Sequence, residues 1–93
     1  MRSRYSAYVL KRDDYLLATW HPSTRPATLD LAHDTSQWLE LQVLRFGQTD
    51  ADHASVEFVA RYKQGGRAAR LHETSAFVRE HGRWFYLDGE FAD

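Results

Sequence analysis

At Trp38 the spacing of apolar residues changes from helical to alternating, and the alternation persists almost to the C-terminus. In "WLELQVLRF" it sets Leu39, Leu41 and Val43 on one face of a strand; in "SVEFVARY" it aligns Val56, Phe58, Ala60 and Tyr62. "LHETSAFVR" groups Leu71, Glu73, Ser75 and Phe77, and "WFYLD" groups Trp84, Tyr86 and Asp88. Successive strand side chains point to opposite faces, so each set shares one. The separators "GQTDADH", "KQGGR" and "EHGR" are rich in residues that tolerate positive φ or bond their own backbone. Connections this short join only antiparallel neighbours, which predicts a four-stranded meander. Gly65 and Gly66 are expected in a tight hairpin turn, because paired glycines supply its positive φ values.

Upstream, Tyr5, Tyr8 and Val9 fall at helical spacing, and Leu16, Leu17 and Trp20 repeat the pattern after "KRDD". Asp13 is the expected N-cap of the second helix, with Asp14 adding negative charge where the helix dipole favours it. Pro22 and Pro26 end the helical reading. Residues 21 to 36 form a connector that admits a short helical turn around "TLDLAH". Helices followed by a meander predict an α+β domain over residues 1–93, its helices packed on one face of the sheet.

Composition narrows the function classes. A net charge of -1 creates no global field toward nucleic acid or anionic membrane, so nucleic-acid binding is the weakest reading. Cysteine is absent, which removes disulfides, thiolate metal ligation and cysteine nucleophiles and suits a reducing compartment. No apolar run approaches membrane-spanning length, and tyrosines and arginines stand where a signal peptide needs an apolar stretch. The expectation is a cytoplasmic protein without a membrane partner. Histidines lack metal-ligand spacing: His33, His53 and His81 belong to turns and His72 has the parity opposite Glu73, so no metal or other cofactor is expected. "GGRAAR" reads as a hairpin, since no strand, glycine-rich loop and helix follow one another around it.

The segments "RSRYSAY", "YLLATWHPSTRP", "VEFVARY", "HETSAF" and "RWFYLDGEF", in this order from Arg2 to Phe91, resemble the central domain of the YchJ-like family of bacterial proteins. The resemblance implies a nuclear transport factor 2-like fold, a strongly curved antiparallel sheet wrapped over N-terminal helices into a cone with a pocket at its open end. Family members carry SEC-C zinc modules beside this domain, and the cysteine-free sequence contains neither module. The wider fold includes isomerases, dehydratases and binding modules, so it does not choose a function.

The last two strands carry the candidate site. Phe77, Trp84 and Tyr86 share their parity with Glu73, Ser75 and Asp88, and such mixing suggests a concave face that is not wholly dry. Buried carboxylates need partners. Arg2, Arg4 and Arg25, or the hydroxyls of Tyr5 and Tyr8, are expected to bond Glu73 or Asp88. Arg4, Tyr5, Tyr8, Tyr15, Trp20, His21 and Arg25 would line or lid the cone. Trp84 is expected to be a buried core anchor. Each residue also has a plain structural reading: Glu73 and Asp88 as ion-paired anchors, Tyr5 and Tyr8 as core packing with a polar tip, His21 as a helix-end cap. The favoured function is a module binding an unknown small molecule or protein, dimeric through the outer sheet face. The alternative is a lyase or isomerase using a pocket carboxylate or His21 as general base.

Overall fold

The computed structural model describes residues 2–31 and 36–92, apart from the side chain of Ala92. Its elements are α1 (Arg2–Val9), α2 (Asp13–Ala18), β1 (Gln37–Asp50), β2 (His53–Gln64), β3 (Arg67–Glu80) and β4 (Arg83–Ala92). The strands form one antiparallel sheet in the order β1-β2-β3-β4, the meander expected from the short connections. The helical turn anticipated around "TLDLAH" runs into residues 32–35 and, like His33, lies outside the described residues.

The turns follow from local chemistry. Gly65 (φ 59) and Gly66 (φ 77) take successive left-handed conformations, as do His81 (φ 53) and Gly82 (φ 76), and such pairs match the twist of the strands they join. Between the helices, Lys11 (φ 56) turns the chain. The Arg12 amide donates to Ala7 O (2.8 Å) and the Lys11 amide to Tyr8 O (3.2 Å), the pairing of a Schellman motif. This motif brings the chain into α2 one residue earlier than the sequence suggested. Arg12, not Asp13, is the N-cap, and its side chain reaches Asp14 (3.0 Å) rather than capping the helix.

Inner-face residues pack beneath α1. Val56, Phe58 and Ala60 form a buried cluster joined by Tyr5, Trp38, Leu41, Val43, Leu71 and Phe77, and each fully buried large apolar side chain contributes about 1.5–3 kcal/mol. A second small cluster, Ala7, Leu16 and Leu31, holds the helices to the connector. Tyr5 and Tyr8 both lean on Trp38, with ring centroids 5.9 Å apart in each case. Their core-packing role explains much of the aromatic density of the opening segment.

Among the register shifts of the sheet, two overturn a parity read from the sequence. In β1 the register shifts between Trp38 and Glu40, so Leu39 sits in a bulge, 51% exposed, and Trp38 takes the inner position expected for Leu39. In β4, Ala76 faces Asp88 while Phe77 faces Tyr86, which leaves Leu87 as an extra residue. Beyond that bulge the parity reverses, and Gly89 and Phe91, not Asp88, share a face with Tyr86.

After α2 the chain docks on the edge of β4. Trp20 forms a parallel bridge with Tyr86: the His21 amide donates to Tyr86 O (2.7 Å) and the Tyr86 amide to Thr19 O (2.8 Å). No helix among the described residues is long and apolar enough to cross a membrane.

Candidate functional site

Arg4 enters from the first turn of α1 and is 4% exposed. Its guanidinium lies over the Tyr86 ring, 4.5 Å from the centroid, and 5.3 Å from that of Trp20. Nη1 donates to Thr19 Oγ1 (2.7 Å) and Leu16 O (3.3 Å), which are neutral acceptors at the end of α2. Burial holds the guanidinium below its usual pKa, opposed chiefly by the nearby hydroxyl of Tyr8. The Arg4–Tyr86 stack separates two hollows between helices and sheet, of about 360 and 350 Å³.

The second hollow contains Glu73, itself 7% exposed. Its Oε2 accepts from the fully buried Ser75 hydroxyl and from Tyr86 Oη (3.3 Å). The carboxylate occupies the space a side chain at residue 89 would need: a Cβ on Gly89 would fall 2.6 Å from Glu73 Cδ. Burial pushes the Tyr86 hydroxyl well above the usual tyrosine range, and the Glu73 charge adds to the effect. Tyr8 is raised too, by burial first, with Arg4 opposing and Glu73 adding. Trp20 also lines this hollow, and its Nε1 is buried with no hydrogen-bond partner among the described residues. We call this space the Glu73 hollow.

The first hollow lies toward the turns joining β1 to β2 and β3 to β4. Phe46, Phe77 and Trp84 form its aromatic walls, and Ser3, Thr19 and Gln48 bring polar atoms. Tyr15 Oη donates to Ser3 Oγ (2.9 Å) at its helical side. Phe46 and Trp84 are 65% and 39% exposed, so this hollow has a wide apolar rim. We call it the Trp84 hollow.

Of the residues singled out in the sequence, Tyr5, Tyr8, Trp20, Glu73, Ser75 and Tyr86 come together around the Glu73 hollow. Phe77 and Trp84 line the other, with Tyr86 shared between them. Trp84 is a rim residue and not the buried anchor expected, because it stands next to the hairpin turn, where helical cover is incomplete. Asp88 is exposed on the opposite side of the sheet from Glu73, turned outward by the bulge at Leu87. Arg25 is exposed and donates to Leu17 O (3.3 Å), tying off the end of α2.

His21 stands outside both hollows. The Ser23 amide donates to its Nδ1 (3.1 Å), which leaves Nε2 to donate to Glu80 (2.8 Å), and the ring meets Phe85 edge-on. His72 has the outer parity expected and pairs with Glu57 (2.7 Å). The anticipated bond between an opening-segment arginine, Tyr5 or Tyr8 and Glu73 or Asp88 is not made: Ser75 and Tyr86 supply the donors to Glu73 from within the sheet. Sequence reasoning missed Gly89 and Trp38. A glycine inside a strand pattern signals close approach of another group, and that signal was present at Gly89.

The family profile described as "YchJ, middle NTF2-like domain" matches residues 1–89. The chain belongs to this family. Among its relatives, a UPF0225 protein of Polaromonas naphthalenivorans is 66% identical over 90 residues, covering 97% of this chain and 65% of that protein. A UPF0225 protein of Bordetella pertussis is 58% identical over 90 residues, covering 97% of this chain and 68% of its own length. The chain thus spans about two thirds of the length of these curated relatives. The solution structure of a SEC-C motif containing protein from Rhodopseudomonas palustris superimposes with a TM-score of 0.87 at 38% identity, covering all of this chain (100%) and 76% of the other. The crystal structure of a SEC-C motif containing protein from Psychrobacter arcticus gives 0.78 at 30% identity, covering 100% and 59%. The family's NTF2-like architecture agrees with the helices and antiparallel sheet described above.

Proposed function

We propose that this domain is a cytoplasmic small-ligand-binding module, its helices and sheet closing as a cone around the Glu73 hollow. The observation that carries the reading is a buried carboxylate, fixed by Ser75 and Tyr86, at the wall of a roughly 350 Å³ space lined mainly by rings and aliphatic side chains. A fitting ligand is largely apolar, neutral or cationic, with a donor for Glu73 and an acceptor for the indole N–H of Trp20. Catalysis by His21 finds no support in this arrangement, since the ring is held between Ser23 and Glu80 away from both hollows. In longer relatives that carry SEC-C motifs, such a module would present its ligand-dependent state to the attached segments.

The test is a fragment screen against ¹⁵N-labelled protein, following the indole N–H resonances of its three tryptophans. Trp20 and Trp38 line the Glu73 hollow and Trp84 lines the other, so the resonances report separately. Neutral or cationic fragments are expected to shift Trp20 and Trp38, and Glu73→Gln should weaken them about tenfold or more, the scale of a hydrogen bond to a charged group. Absence of any such fragment at millimolar concentration would defeat the reading.

A further inference from the structure

Arg4 has an unusual electrostatic position. It is almost wholly buried, yet its hydrogen bonds go to neutral oxygens and the groups acting on its charge are the hydroxyls of Tyr8, Tyr86 and Tyr15. No carboxylate bonds to it among the described residues. A buried guanidinium without a counter-ion is costly, and its planar fork of five N–H groups offers more donors than Thr19, Leu16 and the Tyr8 hydroxyl accept. The charge faces two spaces. In the Glu73 hollow an added anion would meet a carboxylate, whereas no carboxylate lines the Trp84 hollow among the described residues. Arg79, whose guanidinium lies 5.5 Å from the centroid of the Trp84 ring, differs from Arg4 because Asp52 already engages it (3.4 Å).

We propose that the Trp84 hollow is a second, separate site, for a small aromatic or similarly flat organic acid bearing one carboxylate. The carboxylate meets Arg4 on the inner side, and the flat body lies among Phe46, Phe77 and Trp84. Rings of this kind favour a planar partner through offset or edge contacts. Ser3 and Gln48 supply further polar atoms to the acid. A single guanidinium balances a single negative charge; a phosphate dianion would carry a second charge into walls that, among the described residues, have no cation besides Arg4 to meet it. The lowered pKa of Arg4 agrees with a guanidinium that gains from a counter-ion. This site stands independently of the ligand in the Glu73 hollow.

Benzoate, benzamide and phenyl phosphate, titrated separately into ¹⁵N-labelled protein, test the inference. Benzoate is expected to shift the Trp84 indole resonance saturably and to bind about tenfold or more tightly than benzamide, which has the same shape without the charge. Arg4→Gln should abolish that preference. Should Arg4→Gln fail to fold, Phe46→Ser and Trp84→Ala alter exposed rim residues and are expected to keep the circular dichroism spectrum while weakening benzoate severalfold by calorimetry. Equal binding of benzamide would overturn the charge argument. Tighter binding of phenyl phosphate would overturn the choice of a monoanion. If benzoate moves Trp20 and Trp38 but leaves Trp84 unchanged, the acid occupies the Glu73 hollow: this inference then fails while ligand binding by the domain still holds.

Discussion

The two hollows share a wall, Arg4 stacked on Tyr86, yet they are built in opposite ways. The Glu73 hollow is closed around an acid whose donors come from the same sheet, and its floor residue Phe58 is 4% exposed. The Trp84 hollow has no acid among its described lining residues, borrows its charge from a helix, and exposes its rings. The Glu73 side therefore buries the ring at its floor and leaves Phe91, 71% exposed, at its edge, while the other side leaves both Phe46 and Trp84 in contact with water. An aromatic residue on the inner face of a sheet is a core residue only where helices cover it.

This contrast predicts a graded response to mutation. Phe58→Ala should show the largest loss, about 3–5 kcal/mol, measured by urea or thermal unfolding, as for other deletions of a buried large aromatic. A loss near 1 kcal/mol would mean that the Glu73 side is as open as its neighbour.

Gly89→Ala should cost roughly 2–3 kcal/mol, because its methyl meets a carboxylate held in place by two hydroxyls. Combining it with Glu73→Ala should cost less than the sum of the single changes, and strict additivity would show that the carboxylate does not occupy the space over Gly89.

Alkaline pH sharpens the comparison at the shared wall. The Tyr86 hydroxyl titrates above its ordinary value of 10.0 in the folded chain. The folded state therefore holds its proton where the unfolded state releases it, and stability falls as pH rises past the usual tyrosine range while remaining unaffected below it. Tyr86→Phe should flatten that alkaline decline in unfolding experiments, and an unchanged slope would move the effect elsewhere.

Trp84→Ala should be the mildest change, about 1 kcal/mol or less, since the ring is already 39% exposed and can be lost without opening the core. A cost equal to that of Phe58→Ala would erase the distinction between the two sides.

Much of the architecture was legible because its causes are local. Period-two alternation and paired turn residues identified the strands and the meander, and the Gly65–Gly66 hairpin followed from backbone freedom alone. Glu73, Ser75, Phe77 and Tyr86 were placed on one face, as the pairing of the last two strands has them. The misplacements of Leu39 and Asp88 share one cause: a bulge inserts a single residue and reverses parity beyond it, while leaving little trace in a pattern of apolar residues. Asp13 was displaced as N-cap because Lys11, a residue without glycine's freedom, adopts the left-handed turn. Arg4 was grouped with the helical residues lining the candidate site and does line both hollows, but its neutral acceptors depend on where α2 ends in space, which residue spacing does not encode.

The docking of Thr19–His21 on β4 also bears on the order in which the chain folds. Thr24 Oγ1 reaches Leu87 O across 63 residues of sequence, beside the backbone bridge from Trp20 to Tyr86. Although α1 and α2 are local elements near the N-terminus, their final attachment needs the last strand of the sheet. Such a loop carries a closure cost before its contacts repay it, so helix docking is expected late, after the hairpins have assembled. During synthesis α1 leaves the ribosome well before β4 and would thus wait for that strand before the Arg4–Tyr86 partition could form.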